Sequence, residues 1–179
     1  MKKRFVALVA ALALGASGCA ASEVTTSPDR PGDEAPQQAR QVAKVGDKIT
    51  LKGTDENLKV AITVLEPPRT VRSTDGSKPT RKGMRFVGVQ LALENVGTAV
   101  YDDSLTNGSV LLDAEGQKYN TILITEIAAG PVVDLVKMAP GKKRKGYLVF
   151  EAPKGVRPVT LQIALDSGMA PQTGEWALG

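Results

Sequence analysis

The chain has 179 residues, with 23 Lys and Arg against 19 Asp and Glu, a single cysteine and no histidine. The lack of histidine removes the commonest general base, triad member and metal ligand, and one cysteine cannot form an internal disulfide. The length suits one domain, whose stability must come from core packing.

The first 18 residues have the pattern of a secretory signal. Basic residues at positions 2–4 precede an apolar stretch from Phe5 to Ala16. As a helix this stretch would span about 18 Å, which is well short of the roughly 30 Å hydrocarbon core of a bilayer. Small residues then precede Cys19, as signal cleavage requires. We therefore predict a signal peptide over residues 1–18.

The stretch "LALGASGC", residues 12–19, resembles the lipobox of bacterial lipoproteins, although Ala16 stands where that family usually has leucine. The resemblance implies that the sulfur of Cys19 carries diacylglycerol and that the mature chain begins there. Two acyl chains, at about 0.8 kcal/mol per methylene, make a stable anchor. The expected location is the outer face of the bacterial cytoplasmic membrane, and the alternative is a plainly secreted protein.

Cleavage would also change the charge balance. The 23 basic side chains become 20 against 19 acidic ones, so binding to nucleic acid loses its main support.

Residues 19–44 are rich in Pro, Ser, Thr and charged residues and poor in large apolar ones. This composition is typical of a flexible linker with a reach of roughly 25–30 Å. A helix over residues 34–45 is the alternative, although it has no apolar stripe.

Residues 45–168 have the pattern of short strands separated by turns, with no helical period. Apolar residues in period-two phase predict buried strand faces. They are Ile49 and Leu51; Leu58, Val60, Ile62 and Val64; Val87, Val89, Leu91 and Leu93; Leu148 and Phe150; and Val159, Leu161, Ile163 and Leu165. A turn at Glu115 and Gly116 predicts a hairpin.

About seven to nine such strands predict an all-β fold, an antiparallel β-sandwich, with a closed barrel as the alternative. Residues 169–179 follow the last predicted strand and contain the only tryptophan, Trp176. We expect them to form a C-terminal tail that packs on an edge of the sandwich or frays.

The segments "GMRFVGVQLALENVGT", "LLDAEGQKY" and "MAPGKKRKGYLVFEAPKG" contain, in this order, Asn95 and Gly97, Asp113 and Gly116, Pro140 and Gly141, and Phe150 and Pro153. This order resembles the domain-of-unknown-function family 4352, an immunoglobulin-like sandwich frequent in lipoproteins of Gram-positive bacteria. The resemblance covers residues 45–166. It implies an immunoglobulin-like, non-catalytic, extracytoplasmic module that presents a binding surface.

No catalytic, cofactor-binding or metal-binding residue is predicted. Met84, Met138 and Met169 lack the histidine that copper sites usually include. Asp102, Asp103 and Asn107 offer oxygen ligands, but not at the spacing of a calcium loop.

The most distinctive charged stretch is "GKKRKG", in which Lys142, Lys143, Arg144 and Lys145 occupy a predicted turn. One hypothesis joins them to other cations in a positive end that contacts anionic lipid or wall polymer, at about 1 kcal/mol per cation. The other cations are Arg69, Arg72, Lys78, Arg81 and Lys82. The alternative is a solvated loop.

The expected partners are the membrane, through diacylglycerol on Cys19, and an envelope protein or anionic polymer; nucleic acid is not expected. The stretch from Thr125 to Leu135 is either a partner contact or a connection whose Ile127 enters the core. The oligomeric state is not predicted.

Overall fold

A computed structural model describes the backbone of residues 23–25 and all of residues 42–179. The predicted signal peptide, Cys19 and most of the predicted linker lie outside the described residues. Within them, the fold consists of short strands and one 3₁₀ turn, Asp166–Gly168. The strands are β1 Glu23–Thr25, β2 Ala43–Lys44, β3 Lys48–Lys52, β4 Lys59–Val64, β5 Arg69–Val71, β6 Met84–Asn95, β7 Tyr101–Ser104, β8 Ser109–Leu112, β9 Lys118–Asn120, β10 Glu126–Ile127, β11 Gly130–Pro131, β12 Leu135–Met138, β13 Lys143–Pro153, β14 Thr160–Ala164 and β15 Gln172–Ala177.

Two main sheets face each other. Sheet I has the order β13-β6-β4-β3, with β5 beside β6, and sheet II has the order β1-β15-β14-β8-β9, with β2 also beside β15. All pairings are antiparallel except those of β1 and β2 with β15, which are parallel. Two small pairs, β12 with β7 and β10 with β11, complete the fold. The predicted all-β sandwich is confirmed.

The core fills the space between the sheets, where the apolar side chains that were predicted to be buried point toward one another. Residues from β3, β4, β6, β13 and β14 are almost completely buried, among them Leu51, Ile62, Leu91, Phe150 and Ile163. The strands form because their side chains alternate between this core and the opposite face, which is the period that a pleated strand imposes.

A tight turn between β8 and β9 confirms the predicted hairpin. Gly116 has a positive φ of 77°, which glycine adopts without strain. The carboxylate of Asp113 accepts hydrogen bonds from the backbone N–H groups of Glu115 and Gln117 and from the hydroxyl of Tyr119.

One half of the outer surface of sheet I is covered by the connection that contains β10 and β11. Ile127 packs there in a second apolar cluster with Phe86, Tyr147 and Val149. The carboxylate of Asp75 fastens this layer by accepting from the backbone N–H and the hydroxyl of Thr125, at 2.8 and 2.9 Å. Ile127 is thus buried, as one interpretation predicted, but against the outer face of sheet I and not in the core of the sandwich.

Two segments differ from the sequence-based expectation. Glu23–Thr25 and Ala43–Lys44, which lie within the predicted linker 19–44, form strands that pair with β15. The predicted tail 169–179 contains β15, which lies inside sheet II, with Trp176 fully buried. The sequences of β1 and β2 have no apolar pattern that would predict strands. They pair because the edge of β15 offers backbone N–H and C=O groups that can accept another strand.

In the described part of the chain, no helix has the length and apolar character needed to cross a bilayer.

Candidate binding face

The outer surface of sheet I carries a cluster of lysines, which we call the cationic face. It is defined by Lys48 and Lys52 on β3, Lys59 on β4, and Lys143 and Lys145 on β13. Their positions follow from alternation, because the neighbouring positions of opposite phase, such as Ile49, Leu51 and Leu148, point into the core. Antiparallel register then places Lys52 beside Lys59 and brings Lys48 into line with Lys145 across β4 and β6.

A groove of about 450 Å³ runs across this face. Its floor consists of small side chains, Ala61, Thr63 and Ala92, and its two walls carry Lys48 on one side and Lys143, Arg144 and Lys145 on the other. The wall strands β3 and β13 are separated by β4 and β6, so the walls stand roughly 14 Å apart at about 4.8 Å per strand. The groove therefore offers a shallow, apolar floor between two rows of positive charge.

On β13, β6, β4 and β3, the outward positions level with Lys143 and Lys145 include one carboxylate, that of Glu94. Its Oε1 lies 3.2 Å from Nζ of Lys143, and the side chains are 30% and 71% exposed. An exposed pair of this kind contributes little to stability, at about 0–1 kcal/mol. Five ammonium groups against one carboxylate leave the cationic face with a net positive charge.

A polar cluster lies on the outer surface of sheet I, at the border with its covered half. The hydroxyl of Tyr147 donates to Oε1 of Glu66 at 2.9 Å and accepts from the guanidinium of Arg69. Arg69 also lies over the tyrosine ring, 5.2 Å from its centroid. Burial and the hydrogen bond to Glu66 raise the pKa of Tyr147. The cluster fixes the position of Tyr147, which lies two residues after Lys145 on β13.

The predicted basic turn is only partly a turn. Lys142 ends the turn after β12, but Lys143, Arg144 and Lys145 open β13. Their backbone pairs with Glu94, Leu93 and Ala92 of β6. A run of four cations predicts a loop because charges are common in turns, but an exposed edge strand also accommodates them.

The predicted grouping of the basic turn with other basic residues is wrong for Arg81 and Lys82, which lie just before β6. Lys143 pairs with Glu94, whereas Pro153 pairs with Met84 at the other end of the same ladder. Ten residues at about 3.3 Å each separate the two ends by roughly 33 Å. Arg81 and Lys82 come just before Met84 and so lie at the far end.

Sequence reasoning did not select Lys48, Lys52 and Lys59. Their signal is present in the segments "KITLK" and "KVAITV", where lysine and alanine occupy the outward phase of amphipathic strands. What the sequence lacks is the strand order that brings β3 and β4 beside β6 and β13.

The acidic residues considered for calcium do not converge. Asp102 points outward to Nζ of Lys137 at 2.7 Å. Asp103 points inward, where it accepts from the hydroxyls of Tyr101 and Ser167 at 3.2 and 2.9 Å. Burial, together with the charge of Asp103, raises the pKa of Tyr101. Within residues 42–179, no three acidic or cysteine side chains are grouped as a metal site would require.

The methionines also lie apart. Met138 belongs to the core, Met169 is exposed, and Met84 begins β6 at the far end of sheet I.

The fold and its cationic face define the chain as a β-sandwich domain with an open groove on one sheet. The family described as "Domain of unknown function (DUF4352)" matches residues 45–172, which is more than half of the chain. The chain belongs to this family, as the resemblance implied. No protein with a curated description matches the sequence.

Three solved structures share the fold. A secreted protein from Mycobacterium tuberculosis, MPT63, has 16% identity and a TM-score of 0.50, over 75% of this chain and 95% of that one. A protein from Bacillus subtilis described as a "putative lipoprotein (ycdA)" has 15% identity and a TM-score of 0.54, over 75% of this chain and 38% of that one. The yjhA protein of Bacillus subtilis has 17% identity and a TM-score of 0.50, over 77% and 100%. At these identities the likeness establishes the fold.

The four pairs of residues that carried the family resemblance have structural roles. Asn95 and Gly97 close the end of β6, and Asp113 and Gly116 form the hairpin turn. Gly141 donates its N–H to the carbonyl of Asn95 at 2.8 Å, and Phe150 lies in the core. None of these residues lines the groove, so the family pattern describes the scaffold and leaves the binding surface open.

Proposed function

We propose that the chain is a lipid-anchored binding module on the outer face of a bacterial cytoplasmic membrane. Diacylglycerol on Cys19 holds it there, and the cationic face binds an anionic partner. The module performs no chemistry of its own.

The sequence supports the anchor. A short apolar stretch after three basic residues leads directly to the chain's only cysteine. The descriptions of two structural relatives, one as a secreted protein and one as a "putative lipoprotein", agree with an extracytoplasmic location.

The composition supports a binding role. Histidine is missing from the whole chain, and acylation would consume the single thiol. The polar clusters described above stabilise loops and turns through their hydrogen bonds.

The observation that carries the proposal is the cationic face itself. Three of its five lysines line a groove with a floor of alanine and threonine, and Glu94 offsets only one of the five. Each cation near an anionic surface contributes about 1 kcal/mol, and salt screens this attraction.

The anchor is tested by the intact mass of the membrane-extracted protein. We expect the mature chain to begin at Cys19 and to carry the mass of diacylglycerol, and we expect Cys19→Ser to lose that mass. An unmodified wild-type chain in the medium would overturn the anchor.

The binding face is tested with the unacylated Cys19→Ser chain and vesicles that contain about a third anionic phospholipid. We expect binding that falls steeply with salt. A variant with Lys48, Lys52, Lys59, Lys143 and Lys145 changed to glutamine should lose it.

A matched control removes five cations elsewhere, namely Lys78, Arg81, Lys82, Lys154 and Arg157, which are all exposed. The control has the same net charge as the first variant. Equal loss of binding in both variants would show a non-specific charge effect and contradict the proposed face.

A further inference from the structure

The strand β1 begins only four residues after Cys19. Its residues Glu23, Val24 and Thr25 pair in parallel with Gln172, Thr173 and Gly174 at the start of β15. Four residues span at most about 14 Å, even when fully extended. A lipid on Cys19 would therefore be joined to the start of β1, at the end of the sandwich where β15 begins, by a tether of at most this length.

That end of β15 adjoins β3, the edge strand of sheet I. The backbone N–H of Lys52 donates to Oε1 of Gln172 at 2.9 Å, and Nε1 of Trp176 donates to the carbonyl of Asp47 at 3.2 Å. The edge strand that leads to Cys19 and the edge strand that carries Lys48 and Lys52 thus lie on the same side of the sandwich.

We infer that the partner of the cationic face is the layer of anionic lipid headgroups of the same bilayer that holds Cys19. This inference rests on the proposed lipid anchor. The pairing of β1 with β15 replaces a linker with a reach of roughly 25–30 Å by a short tether. The anchor then places the lysines of β3 beside the headgroups, within or near the Debye length of about 8 Å at physiological salt.

The distribution of charge indicates which surface meets the lipid. Asp55 and Glu56 are exposed in the turn between β3 and β4, at the same end of the sandwich. Negative charge at this tip opposes an end-on approach to anionic headgroups. The uncovered half of the outer surface of sheet I has the excess of lysines, so the domain lies with this half toward the bilayer and sheet II away from it.

The test uses the acylated full chain on vesicles. Because acylation occupies the only natural cysteine, one introduced thiol can be labelled specifically with a fluorophore. Gln90→Cys places the label on the outer surface of sheet I without replacing any of the five lysines, and Val110→Cys places it on the outer surface of sheet II. The packed sheets lie about 10 Å apart, so the two labels differ in their distance from a quencher attached to lipid headgroups.

On anionic vesicles we expect the label at position 90 to be quenched at least twofold more than the label at position 110. The five-lysine glutamine variant should lose this difference while keeping its acyl mass. Insertion of about 20 Gly and Ser residues between Ala21 and Ser22 should reduce quenching at position 90 on neutral vesicles, because the longer tether releases the domain.

Each contrary outcome has a distinct meaning. A chain without the acyl mass would defeat the proposed function and, with it, this inference. An acylated chain whose two labels are quenched equally, or whose difference survives removal of the lysines, would overturn the inference and leave the anchor intact.

Discussion

The buried side-chain amide of Asn95 donates to the carbonyl of Met138 at 2.9 Å and thereby joins the end of β6 to the end of β12. The same nitrogen donates to the carbonyl of Ala99 at 2.8 Å, and its Oδ1 accepts the N–H of Gly97 at 3.1 Å. Asn95 itself has no exposed surface. One side chain thus satisfies three backbone groups at the point where the chain leaves sheet I.

Replacing this side chain should destabilise the domain. Asn95→Ala leaves the carbonyls of Ala99 and Met138 without this donor, and we expect the free energy of unfolding to fall by about 3 kcal/mol. Denaturant unfolding followed by the fluorescence of Trp176 measures the change. Asn120→Ala, at an exposed position on β9, is the control and should change stability by less than about 0.5 kcal/mol. A similar loss in both variants would contradict the role assigned to Asn95.

Gly97 is required by a close approach of two backbone segments. A Cβ atom there would lie 2.2 Å from the carbonyl oxygen of Asn57 and 2.6 Å from the amide nitrogen of Lys59. Since backbone cannot move aside as a flexible side chain can, we expect Gly97→Ala to lower the free energy of unfolding by roughly 3 kcal/mol.

The matched control for Gly97 is Gly155, where a Cβ would meet nothing within 4 Å. Gly155→Ala should be neutral or stabilising by up to about 1 kcal/mol, because alanine restricts the unfolded chain. Thermal unfolding of the two variants side by side decides the matter, and equal midpoints would refute the steric argument.

The hairpin turn predicts a specific dependence on pH. The hydroxyl of Tyr119 and backbone N–H groups lower the pKa of Asp113, and the bond to Asp113 raises the pKa of Tyr119 from 10.0 to about 12. The Tyr119 contribution to stability is therefore complete below pH 10 and is lost as pH rises toward about 12. The Asp113 contribution is present above its ordinary pKa of 3.8 and is lost as pH falls through the lower pKa of the folded state.

Tyr119→Phe tests this coupling. We expect the pKa of Asp113, measured from the carboxyl carbon by NMR, to rise toward its ordinary value, since the hydroxyl that donates to the carboxylate is removed. The stability profile above pH 10 should also become flatter. An unchanged pKa of Asp113 would show that the backbone donors alone set it.

Removing the carboxylate from the cationic face should strengthen binding. Glu94→Gln frees Lys143 from its partner and raises the positive charge of the face, so we expect about fivefold tighter binding to anionic vesicles, which corresponds to about 1 kcal/mol. Stability should change by less than about 1 kcal/mol, because the pair is exposed. Glu115→Gln makes the same change of charge in the distant hairpin turn, and an equal gain there would count against a localised binding face.

Much of the scaffold was predictable because strand alternation is a local property. The buried phases of β3, β4 and β6 follow from neighbours such as Ile49 and Leu51, and the hairpin turn follows from Glu115 and Gly116. β15 escaped prediction because "QTGEWA" has a single large apolar residue, and its position inside sheet II is fixed by partners that are distant in sequence.

The candidate site was predictable only in part for a related reason. Lys143 and Lys145 lie more than 80 residues from Lys48, Lys52 and Lys59, and only the register through β4 and β6 aligns them. A local run of cations is visible in the sequence, but the composition of a sheet face depends on strand order. The same register places Arg81 and Lys82 at the opposite end of sheet I.

The location of β15 also determines when the domain can fold. Its neighbours are β14 on one side and β1 and β2 on the other, so the last described strand completes the sheet that the first strands begin. Trp176, one of the largest buried side chains, is therefore missing from the core until β15 has been synthesised. Contacts between such distant residues form slowly. The two sheets therefore cannot close around a complete core until β15 has been synthesised and has paired with β1, β2 and β14.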